Sequence, residues 1–214
     1  MKYNPEKRSS TILRYISDDP YSILSNEISS LLIDRNNTLF VGSFGRGISK
    51  YSPFNSKFDA FQIPGDEVVN PDMNSFTDAI EDSNGNLVTG TYHGFFVFDQ
   101  QTWEHRHFLP GNSYESNKVL TLDMAPDGSI WICTMSGLHR YDEDYQKITT
   151  YYPDPALKDQ SVYAIEFDYR NNLWIGLFNK GLIRVQEEEW LNNTGSRLNY
   201  RLYQLEYNLS LIHI

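Results

Sequence analysis

The most informative stretch of this chain is Asp168-Tyr169-Arg170-Asn171-Asn172-Leu173-Trp174-Ile175-Gly176-Leu177, in which a polar turn leads into an apolar run. Similar runs occur at Ile33-Asp34-Arg35-Asn36-Asn37-Thr38-Leu39-Phe40-Val41-Gly42-Ser43, at Ile80-Glu81-Asp82-Ser83-Asn84-Gly85-Asn86-Leu87-Val88-Thr89-Gly90-Thr91 and at Ala125-Pro126-Asp127-Gly128-Ser129-Ile130-Trp131-Ile132-Cys133-Thr134. The position that follows each run is occupied by Gly42, Gly90, Cys133 and Gly176, at separations of 48, 43 and 43 residues. A period of about 40 to 45 residues is typical of a four-stranded propeller blade.

Each repeat contains four predicted strands. The first alternates polar and apolar residues, as in Val162-Tyr163-Ala164-Ile165-Glu166-Phe167, and an Asp, Asn and Gly turn joins it to the second. The third follows a glycine, as in Gly181-Leu182-Ile183-Arg184-Val185, and the more polar fourth is expected at 58–62, 103–108, 147–152 and 198–204. The sequence therefore predicts an all-β protein with about four consecutive four-stranded antiparallel β-propeller blades, forming part of a larger propeller.

The blade boundaries follow from the same period. Residues 1–27 are expected to hold a connector and an outer strand, at 10–17, from a preceding blade, and the blades are assigned to 28–63, 64–109, 110–153 and 154–206. Residues 207–214 match no repeat position and are interpreted as a non-repeat tail that resembles translated adapter sequence. In an alternative arrangement the strand at 10–17 closes a four-bladed ring. The open arc is preferred because 198–204 already supplies a fourth strand to the last repeat.

Composition excludes some classes of function. The chain has 28 acidic and 18 basic residues, a net charge of -10, which disfavours binding to nucleic acid. Its single cysteine, Cys133, rules out an internal disulfide framework. No stretch has the apolar length of a signal peptide or of a membrane span.

With these features identified, the repeat resembles the two-component regulator propeller repeat. That family combines a strand ending in Asp, an Asn/Gly turn, a Leu-Trp-Ile-Gly-Thr core and a Gly-led strand ending in Tyr. The resemblance covers approximately residues 28–185 and is strongest at Asn172-Leu173-Trp174-Ile175-Gly176 and Asp127-Gly128-Ser129-Ile130-Trp131-Ile132. The departures from the pattern are Phe40 and Val88 at the Trp position, Ala125 at the Asp position, Cys133 at the Gly position and Leu177 at the Thr position.

The resemblance implies a sensor. Such repeats form large propellers in the periplasmic sensor regions of membrane-bound hybrid histidine kinases, many of which regulate glycan use. By this resemblance the chain is a fragment of an extracytoplasmic, glycan-responsive sensor and is not itself an enzyme, while any histidine kinase activity belongs to the membrane-anchored parent. The implied partners are an oligosaccharide, the remaining blades of the parent propeller and a second copy of the parent in a homodimer, with no nucleic acid.

Several residues that could carry chemistry are better explained structurally. Asp82-Ser83-Asn84-Gly85-Asn86 resembles the start of a calcium loop, but it lacks the distant bidentate Glu and is interpreted as a turn. His105 and His107 are spaced as metal ligands without an identifiable third ligand. Ser136 and His139 have no orienting acid that would complete a triad. No catalytic residue, metal site or cofactor is therefore predicted.

Three residues inside the repeat are assigned to the core. Trp131 and Trp174 recur at the centre of the second strand, where a repeated residue is typical of packing between neighbouring blades. Cys133 occupies a small-residue position of a buried strand, where an inert thiol is expected.

The candidate ligand site lies in the loops between second and third strands, because these vary within the repeat and gather on one face of a propeller. They carry aromatic residues beside hydrogen-bonding groups, a combination that suits a neutral or weakly acidic sugar. The predicted ligand-binding residues are Arg46, Tyr92, His93, Phe178, Asn179 and Lys180. A structural alternative is that the bulky first residue of each loop caps its blade; these residues are Phe44, Tyr92, Met135 and Phe178.

Two other functions compete with sensing. Propeller lyases that act on cyclic peptide antibiotics share short Asp-Gly-x-Trp blades, and their chemistry needs a divalent metal and a general base. Only His93 among the histidines lies on the predicted ligand face, which disfavours that reading. The other alternative is a protein-docking scaffold, since any propeller face can serve for docking.

Overall fold

The computed structural model describes residues 2–4, 8–52, 57–63, 71–151, 162–178, 180–193, 195 and 197–203. The chain divides into two compact units, Met1–Leu120 and Thr121–Ile214. The strands are β1 (Lys2–Asn4), β2 (Ser9–Thr11), β3 (Ile28–Ile33), β4 (Leu39–Ser43), β5 (Gly47–Ser52), β6 (Lys57–Phe61), β7 (Phe76–Glu81), β8 (Leu87–Thr91), β9 (Gly94–Phe98), β10 (His105–Phe108), β11 (Val119–Met124), β12 (Ile130–Thr134), β13 (Gly137–Tyr141), β14 (Lys147–Tyr151), β15 (Val162–Phe167), β16 (Leu173–Leu177), β17 (Gly181–Val185) and β18 (Arg201–Tyr203). Two short helices are α1 (Tyr114–Asn117) and α2 (Glu187–Leu191).

The strands form four four-stranded sheets, each built from strands that are consecutive in the chain. The first sheet has the order β3-β4-β5-β6, the second β7-β8-β9-β10, the third β11-β12-β13-β14 and the fourth β15-β16-β17-β18. Pairing is antiparallel, with registers such as Trp174↔Arg184 and Val88↔Val97. The predicted all-β fold of four-stranded antiparallel blades is confirmed.

The amino-terminal strand is shorter than the expected 10–17. Only Ser9–Thr11 is extended, and it pairs with Lys2–Asn4. Later in the expected range, side chains take two backbone donors: Asn26 Oδ1 accepts from the N–H of Tyr15 and Ser22 Oγ accepts from that of Ile16, each at 3.0 Å. The outer position of the fourth sheet, which a closed ring would give to this strand, is held by β18.

The fourth strands also start later than expected in two sheets. The second sheet begins its outer strand at His105 rather than at residue 103, because Trp103 has a positive φ of 61° and belongs to the turn. In the fourth sheet the outer strand covers only Arg201–Tyr203 of the expected 198–204, and residue 204 lies outside the described residues.

In the first unit, apolar residues of the first two sheets form a shared core that includes Phe40, Ile48, Phe76, Leu87 and Phe98. The sheets approach closely at the glycine that ends the apolar run of the second strand. A Cβ at Gly42 would lie 3.1 Å from the Cβ of Phe76, the first residue of β7. The small residue at this repeat position therefore makes room for the next sheet.

In the second unit, the core is centred on Trp131, which is fully buried as predicted. Its ring stacks on Tyr151 at 5.2 Å and meets Trp190 edge-on at 6.0 Å. The same prediction is wrong for Trp174, which is only half-buried. Trp190, from the segment between β17 and β18, covers Trp131, whereas no described sheet covers the equivalent face of the fourth sheet.

Candidate functional site

A threonine at the end of the second strand shapes the loops that follow. In the second sheet, Thr91 Oγ1 accepts a hydrogen bond from the N–H of His93 at 3.0 Å and donates one to the carbonyl of Gly94 at 2.9 Å. Thr134 makes the equivalent pair of bonds in the third sheet. Gly94 has a φ of 88°, which favours glycine. Residues 92–93 are thus presented at the tip of a tight turn.

The equivalent loop of the first sheet, residues 44–46, is fixed by the segment before the second sheet. Ser75 Oγ accepts a hydrogen bond from the N–H of Gly45 at 3.0 Å, and Gly45 has a φ of 64°. The Arg46 carbonyl accepts a bond from Gln62 Nε2 at 2.8 Å, while the Arg46 side chain is exposed. The backbone is therefore held while the guanidinium faces solvent.

The two loops bring aromatic rings together in the first unit. The rings of Phe44 and Tyr92 lie 6.2 Å apart, and Lys118 Nζ sits 3.9 Å from the centre of the Tyr92 ring. Lys118 also lies 5.8 Å from the ring of Tyr114 in α1. Phe44 is 42% exposed and Tyr114 is 51% exposed, so both present ring surface to solvent. We call Phe44, Tyr92, Tyr114 and Lys118 the first-unit patch.

His93 follows Tyr92 in the chain, but its ring lies against the outer strand β10 rather than in the first-unit patch. Its ring lies 5.5 Å from that of His107, whose Nε2 is 2.6 Å from the His93 carbonyl. The Nδ1 atom of His93 is buried and has no hydrogen-bond partner among the described residues. The half-buried His93 ring therefore contributes to packing against the outer strand.

The second unit carries its own exposed aromatic pair. The rings of Tyr163 in β15 and Phe178, which follows β16, lie 5.3 Å apart, and each residue is 56% exposed. Lys180 in the same loop is half-buried, and Asn179 lies outside the described residues. We call Tyr163 and Phe178 the second-unit patch.

The bulky first loop residues are more exposed than a capping role implies. Phe44, Met135 and Phe178 are 42%, 41% and 56% exposed, and only Tyr92 is half-buried. Three of the four side chains therefore leave surface available to a ligand. That Arg46, Tyr92, His93, Phe178, Asn179 and Lys180 form one common rim stays a prediction, and Asn179 lies outside the described residues.

The paired histidines of the second outer strand are exposed, and one of them is used for stacking. The His107 ring stacks on Phe96 at 4.2 Å and 4° between planes, and desolvation of the ring lowers the pKa of His107. His105 lies 5.4 Å from the ring of Phe98. Within the part of the chain that the structure describes, no three His, Cys, Asp or Glu side chains are grouped so as to hold a metal ion.

The Asp of the strand-joining turn is a structural residue. Asp82 Oδ1 accepts hydrogen bonds from the N–H groups of Asn84 at 2.9 Å and Asn86 at 2.7 Å. Asp34 and Asp168 make the same pair of bonds in the first and fourth sheets. The segment that resembles a calcium loop is thus a turn closed by its own carboxylate.

The buried polar residues of the third sheet are likewise structural. His139 Nε2 lies 3.1 Å from Thr134 Oγ1 and its Nδ1 lies 3.1 Å from Thr150 Oγ1. Burial lowers the pKa of His139 to about 3, with a smaller contribution from Lys147, so the ring is neutral at physiological pH. Cys133, the single cysteine of the chain, is buried as expected.

Sequence reasoning missed Tyr163, Tyr114 and Lys118. Tyr163 could have been found from the repeat, because the second residue of the first strand is Ser29, Thr77 and Leu120 in the other sheets. A change from small or aliphatic residues to tyrosine at one blade position is the kind of variation that marks a binding surface. Tyr114 and Lys118 lie between repeats, where the period gives no signal.

Comparison with known proteins supports the repeat assignment. Residues 156–179 match the family described as Two component regulator propeller. No curated protein matches the chain. No helix within the described ranges has the length and apolar character needed to cross a membrane.

The solved structures with a similar fold include proteins of two kinds. The chain is similar to the extracellular domain of a hybrid two-component system from B. thetaiotaomicron, with a TM-score of 0.73 and 21% identity over 96% of this chain and 25% of that chain. A second such domain from the same organism matches with a TM-score of 0.67 and 18% identity over 85% of this chain and 22% of that one. Virginiamycin B lyase from Staphylococcus aureus matches with a TM-score of 0.65 and 12% identity, over 85% of this chain and 57% of the lyase.

The chain spans a quarter of the length of the first of these relatives. The likeness to the two sensor domains and to the lyase establishes the fold. The family match identifies residues 156–179 as a repeat of this type. The resemblance drawn from the sequence is confirmed: the chain carries a two-component regulator propeller repeat on a propeller-type fold.

Proposed function

We propose that this chain is part of the extracytoplasmic sensor domain of a bacterial two-component system. The proposal is supported by the propeller repeat at residues 156–179 and by the fold shared with extracellular domains of hybrid two-component systems. In this proposal the parent protein is anchored in the membrane, forms a homodimer and carries the histidine kinase core, while this region contributes recognition.

The ligand in this proposal is an oligosaccharide. The observation that carries it is the presence of solvent-exposed aromatic rings at the same end of the blade in both units: Phe44 and Tyr114 in the first-unit patch, Tyr163 and Phe178 in the second. Sugar rings have an apolar face that stacks on aromatic surface, and their hydroxyls need polar partners at the edge.

The polar partners in the first unit are cationic. Lys118 is held against the Tyr92 ring at 3.9 Å, which restricts an otherwise flexible side chain, and the exposed Arg46 lies in the loop that carries Phe44. Both side chains donate hydrogen bonds and carry positive charge. This combination favours sugars with acceptor hydroxyls or a carboxylate, such as uronic acids.

Calorimetric titration with a panel of neutral and uronic acid oligosaccharides tests the proposal. Tyr92→Ala and Phe178→Ala should each weaken binding by about 1 to 3 kcal/mol, since each removes stacking surface. Tyr169→Ala is the matched control, because Tyr169 is 86% exposed but lies in the turn at the opposite end of the fourth sheet. Unchanged affinity in the two patch variants, with circular dichroism showing an intact fold, would contradict the proposal.

A lyase activity is the second candidate, favoured by the fold likeness to virginiamycin B lyase over 85% of this chain. It is tested by incubating the chain with virginiamycin B and Mg²⁺ and following the substrate by reversed-phase chromatography. Conversion above the rate without protein would support the enzyme and overturn the sensor-only proposal. An unchanged substrate, together with saturable glycan binding, supports the sensor.

A further inference from the structure

In the first two sheets, the loop between the second and third strands is tied to the outer strand by the same kind of bond. In both, the acceptor is the carbonyl of the residue before the glycine that opens the third strand. Gln62 Nε2 donates to the Arg46 carbonyl at 2.8 Å in the first sheet, and His107 Nε2 lies 2.6 Å from the His93 carbonyl in the second. A carbonyl oxygen only accepts, so Nε2 of His107 is the donor in this bond.

The two donors come from different positions of the repeat. Gln62 is the first residue after β6, whereas His107 lies within β10 and pairs with Phe96 of the third strand. The equivalent pair of the first sheet is Ser49↔Ala60, and an alanine side chain has no donor. Two different positions thus supply a donor to the same acceptor, as expected if the loop requires the bond rather than one particular residue.

The outer strand approaches both loops closely at the glycine that follows the acceptor. A Cβ at Gly94 would overlap the Phe108 carbonyl and lie 3.0 Å from His107 Nε2, and Gly94 has a φ of 88°. Gly47 has a φ of 97°, and a Cβ there would overlap the Phe61 carbonyl. The glycine therefore admits the outer strand, and the donor side chain then links that strand to the loop.

The ring of His107 is itself held in place by stacking. It lies 4.2 Å from the Phe96 ring, with 4° between the planes, and 5.5 Å from the His93 ring. Stacking restricts the rotation of a side chain that is otherwise exposed. The donor is therefore directed at the His93 carbonyl with little further loss of side-chain entropy.

The bond from His107 complements those that form the turn carrying Tyr92. Thr91 Oγ1 accepts from the N–H of His93 at 3.0 Å and donates to the Gly94 carbonyl at 2.9 Å, and these two bonds set the shape of the turn from within. The bond from His107 joins the same turn to a different strand. It therefore sets the direction in which the turn extends from the sheet.

We infer that His107 is a positioning residue of the first-unit patch, whose Nε2–H group sets the direction of the Tyr92 ring before a ligand binds. That ring lies 6.2 Å from the Phe44 ring and 3.9 Å from Lys118 Nζ, so the direction of the turn decides whether the patch is assembled. A surface that is already assembled loses less freedom on binding and binds more tightly. The inference rests on the proposed function for the identity of the ligand, whereas the hold of His107 on the turn is tested without one.

Two substitutions separate the donor of His107 from its ring. His107→Phe keeps an aromatic ring beside Phe96 and removes the donor. His107→Gln removes the ring and keeps an Nε2 donor, the group that Gln62 uses in the first sheet. His105→Phe is the matched control, because His105 lies two residues away on the same strand, where its ring is 5.4 Å from that of Phe98.

Amide hydrogen exchange of the unliganded chain is the first readout, with circular dichroism to check that each variant is folded. Loss of one hydrogen bond should accelerate exchange at residues 93–94 about five- to tenfold in His107→Phe, because the turn opens more often. His107→Gln and His105→Phe should exchange at the rate of the original chain. Gln62→Met removes the corresponding donor of the first sheet and should accelerate exchange at residues 45–47 by a similar factor. Unchanged exchange in His107→Phe would overturn the inference.

Calorimetric titration with a trimer of galacturonic acid is the second readout. His107→Phe should weaken binding about five- to tenfold, since the turn must then be ordered when the ligand binds, while His107→Gln should retain the affinity. The opposite order, with affinity lost in His107→Gln and kept in His107→Phe, would overturn the inference, because the stacked ring rather than the donor would be responsible. If the original chain binds neither this trimer nor any other oligosaccharide of the panel, the proposed function fails, and the exchange rates still decide whether His107 holds the turn.

Discussion

Trp131 and Trp174 occupy equivalent positions in the third and fourth sheets, but their surroundings differ. Trp131 is fully buried between Tyr151, Phe167 and Trp190. Trp174 is half-buried, and its ring lies 5.8 Å from that of Tyr203 in its own sheet. The repeat thus fixes where an indole stands in a blade. How much that indole stabilises the protein depends on whether another blade covers it.

The two indoles also satisfy their N–H groups differently. Trp174 Nε1 donates directly to Asp168 Oδ2 at 2.8 Å, and this bond contributes most to the lowered pKa of Asp168. In the third sheet Ala125 replaces that Asp, and Trp131 Nε1 donates to Ser129 Oγ at 3.2 Å instead. The third sheet therefore compensates locally for a departure from the repeat and keeps its indole in place.

The largest expected effect is the difference between the two tryptophans. Trp131→Ala should lower the free energy of unfolding by about 3 to 5 kcal/mol, because it leaves a cavity in a packed core. Trp174→Ala should cost roughly half as much or less, because solvent fills the space beside a half-buried ring. Urea unfolding of both variants measures the difference. Equal losses would show that the coverage of Trp131 by Trp190 contributes little.

A smaller effect of the same origin is expected at the glycine position. Gly90→Ala should destabilise the chain by about 1 to 3 kcal/mol, since the added methyl group would overlap Val119 and Thr77. Gly176→Ala is the matched variant in the fourth sheet and should change stability by less than about 0.5 kcal/mol. Thermal unfolding of both variants, monitored by circular dichroism, decides the comparison. A destabilising Gly176→Ala would contradict the ordinary van der Waals separation of at least 3.5 Å that a Cβ has at this position.

The third sheet should also respond to acid in a way that the fourth does not, because the position of His139 is Ile183 in the fourth sheet. The pKa of His139 is lowered to about 3 by burial, so the unfolded chain binds a proton that the folded chain does not. Stability from this group is complete above the unfolded pKa of about 6.5 and falls with pH from there toward 3, by about 1.4 kcal/mol at pH 5.5.

Urea unfolding at pH 7.5 and 5.5 measures this loss against His139→Gln, which cannot titrate but keeps hydrogen-bonding capacity. The difference in unfolding free energy between the two pH values should be smaller in the variant by about 1.4 kcal/mol. An identical pH dependence in both proteins would show that His139 is accessible to protons in the folded state.

Much of the fold could be predicted from the sequence because the blade repeat is local. A strand, an Asp-closed turn and a glycine-led strand lie within about 25 residues, so the second strands around Trp131 and Trp174 could be placed from their own neighbourhoods. The exposure of Trp174 could not be predicted in this way, because it depends on what covers the sheet. Arg140 and Trp190 are 50 residues apart in the sequence, and no local sequence pattern predicts their contact.

The candidate site was predicted in part. The repeat pointed to Tyr92 and Phe178 as variable loop residues, and the structure gives each an aromatic neighbour, Phe44 and Tyr163. Lys118 was not predicted as a site residue because it lies between repeats, and its contact with the Tyr92 ring is made by the folded chain. Variation within the repeat therefore identified the loops that carry Tyr92 and Phe178. The contributions of Tyr163 and Lys118 to the two patches became visible only in the structure.

We propose that a glycan binds at the loops that follow the second strands, and amide hydrogen exchange with and without an oligosaccharide measures where it binds. Protection should increase at residues 92–94, 114–118 and 177–178, which carry or adjoin the aromatic patches. Residues 83–86 and 169–172, in the turns at the opposite end of the second and fourth sheets, should exchange at unchanged rates. Protection confined to those turns, or none at the patches under saturating oligosaccharide, would contradict the claim.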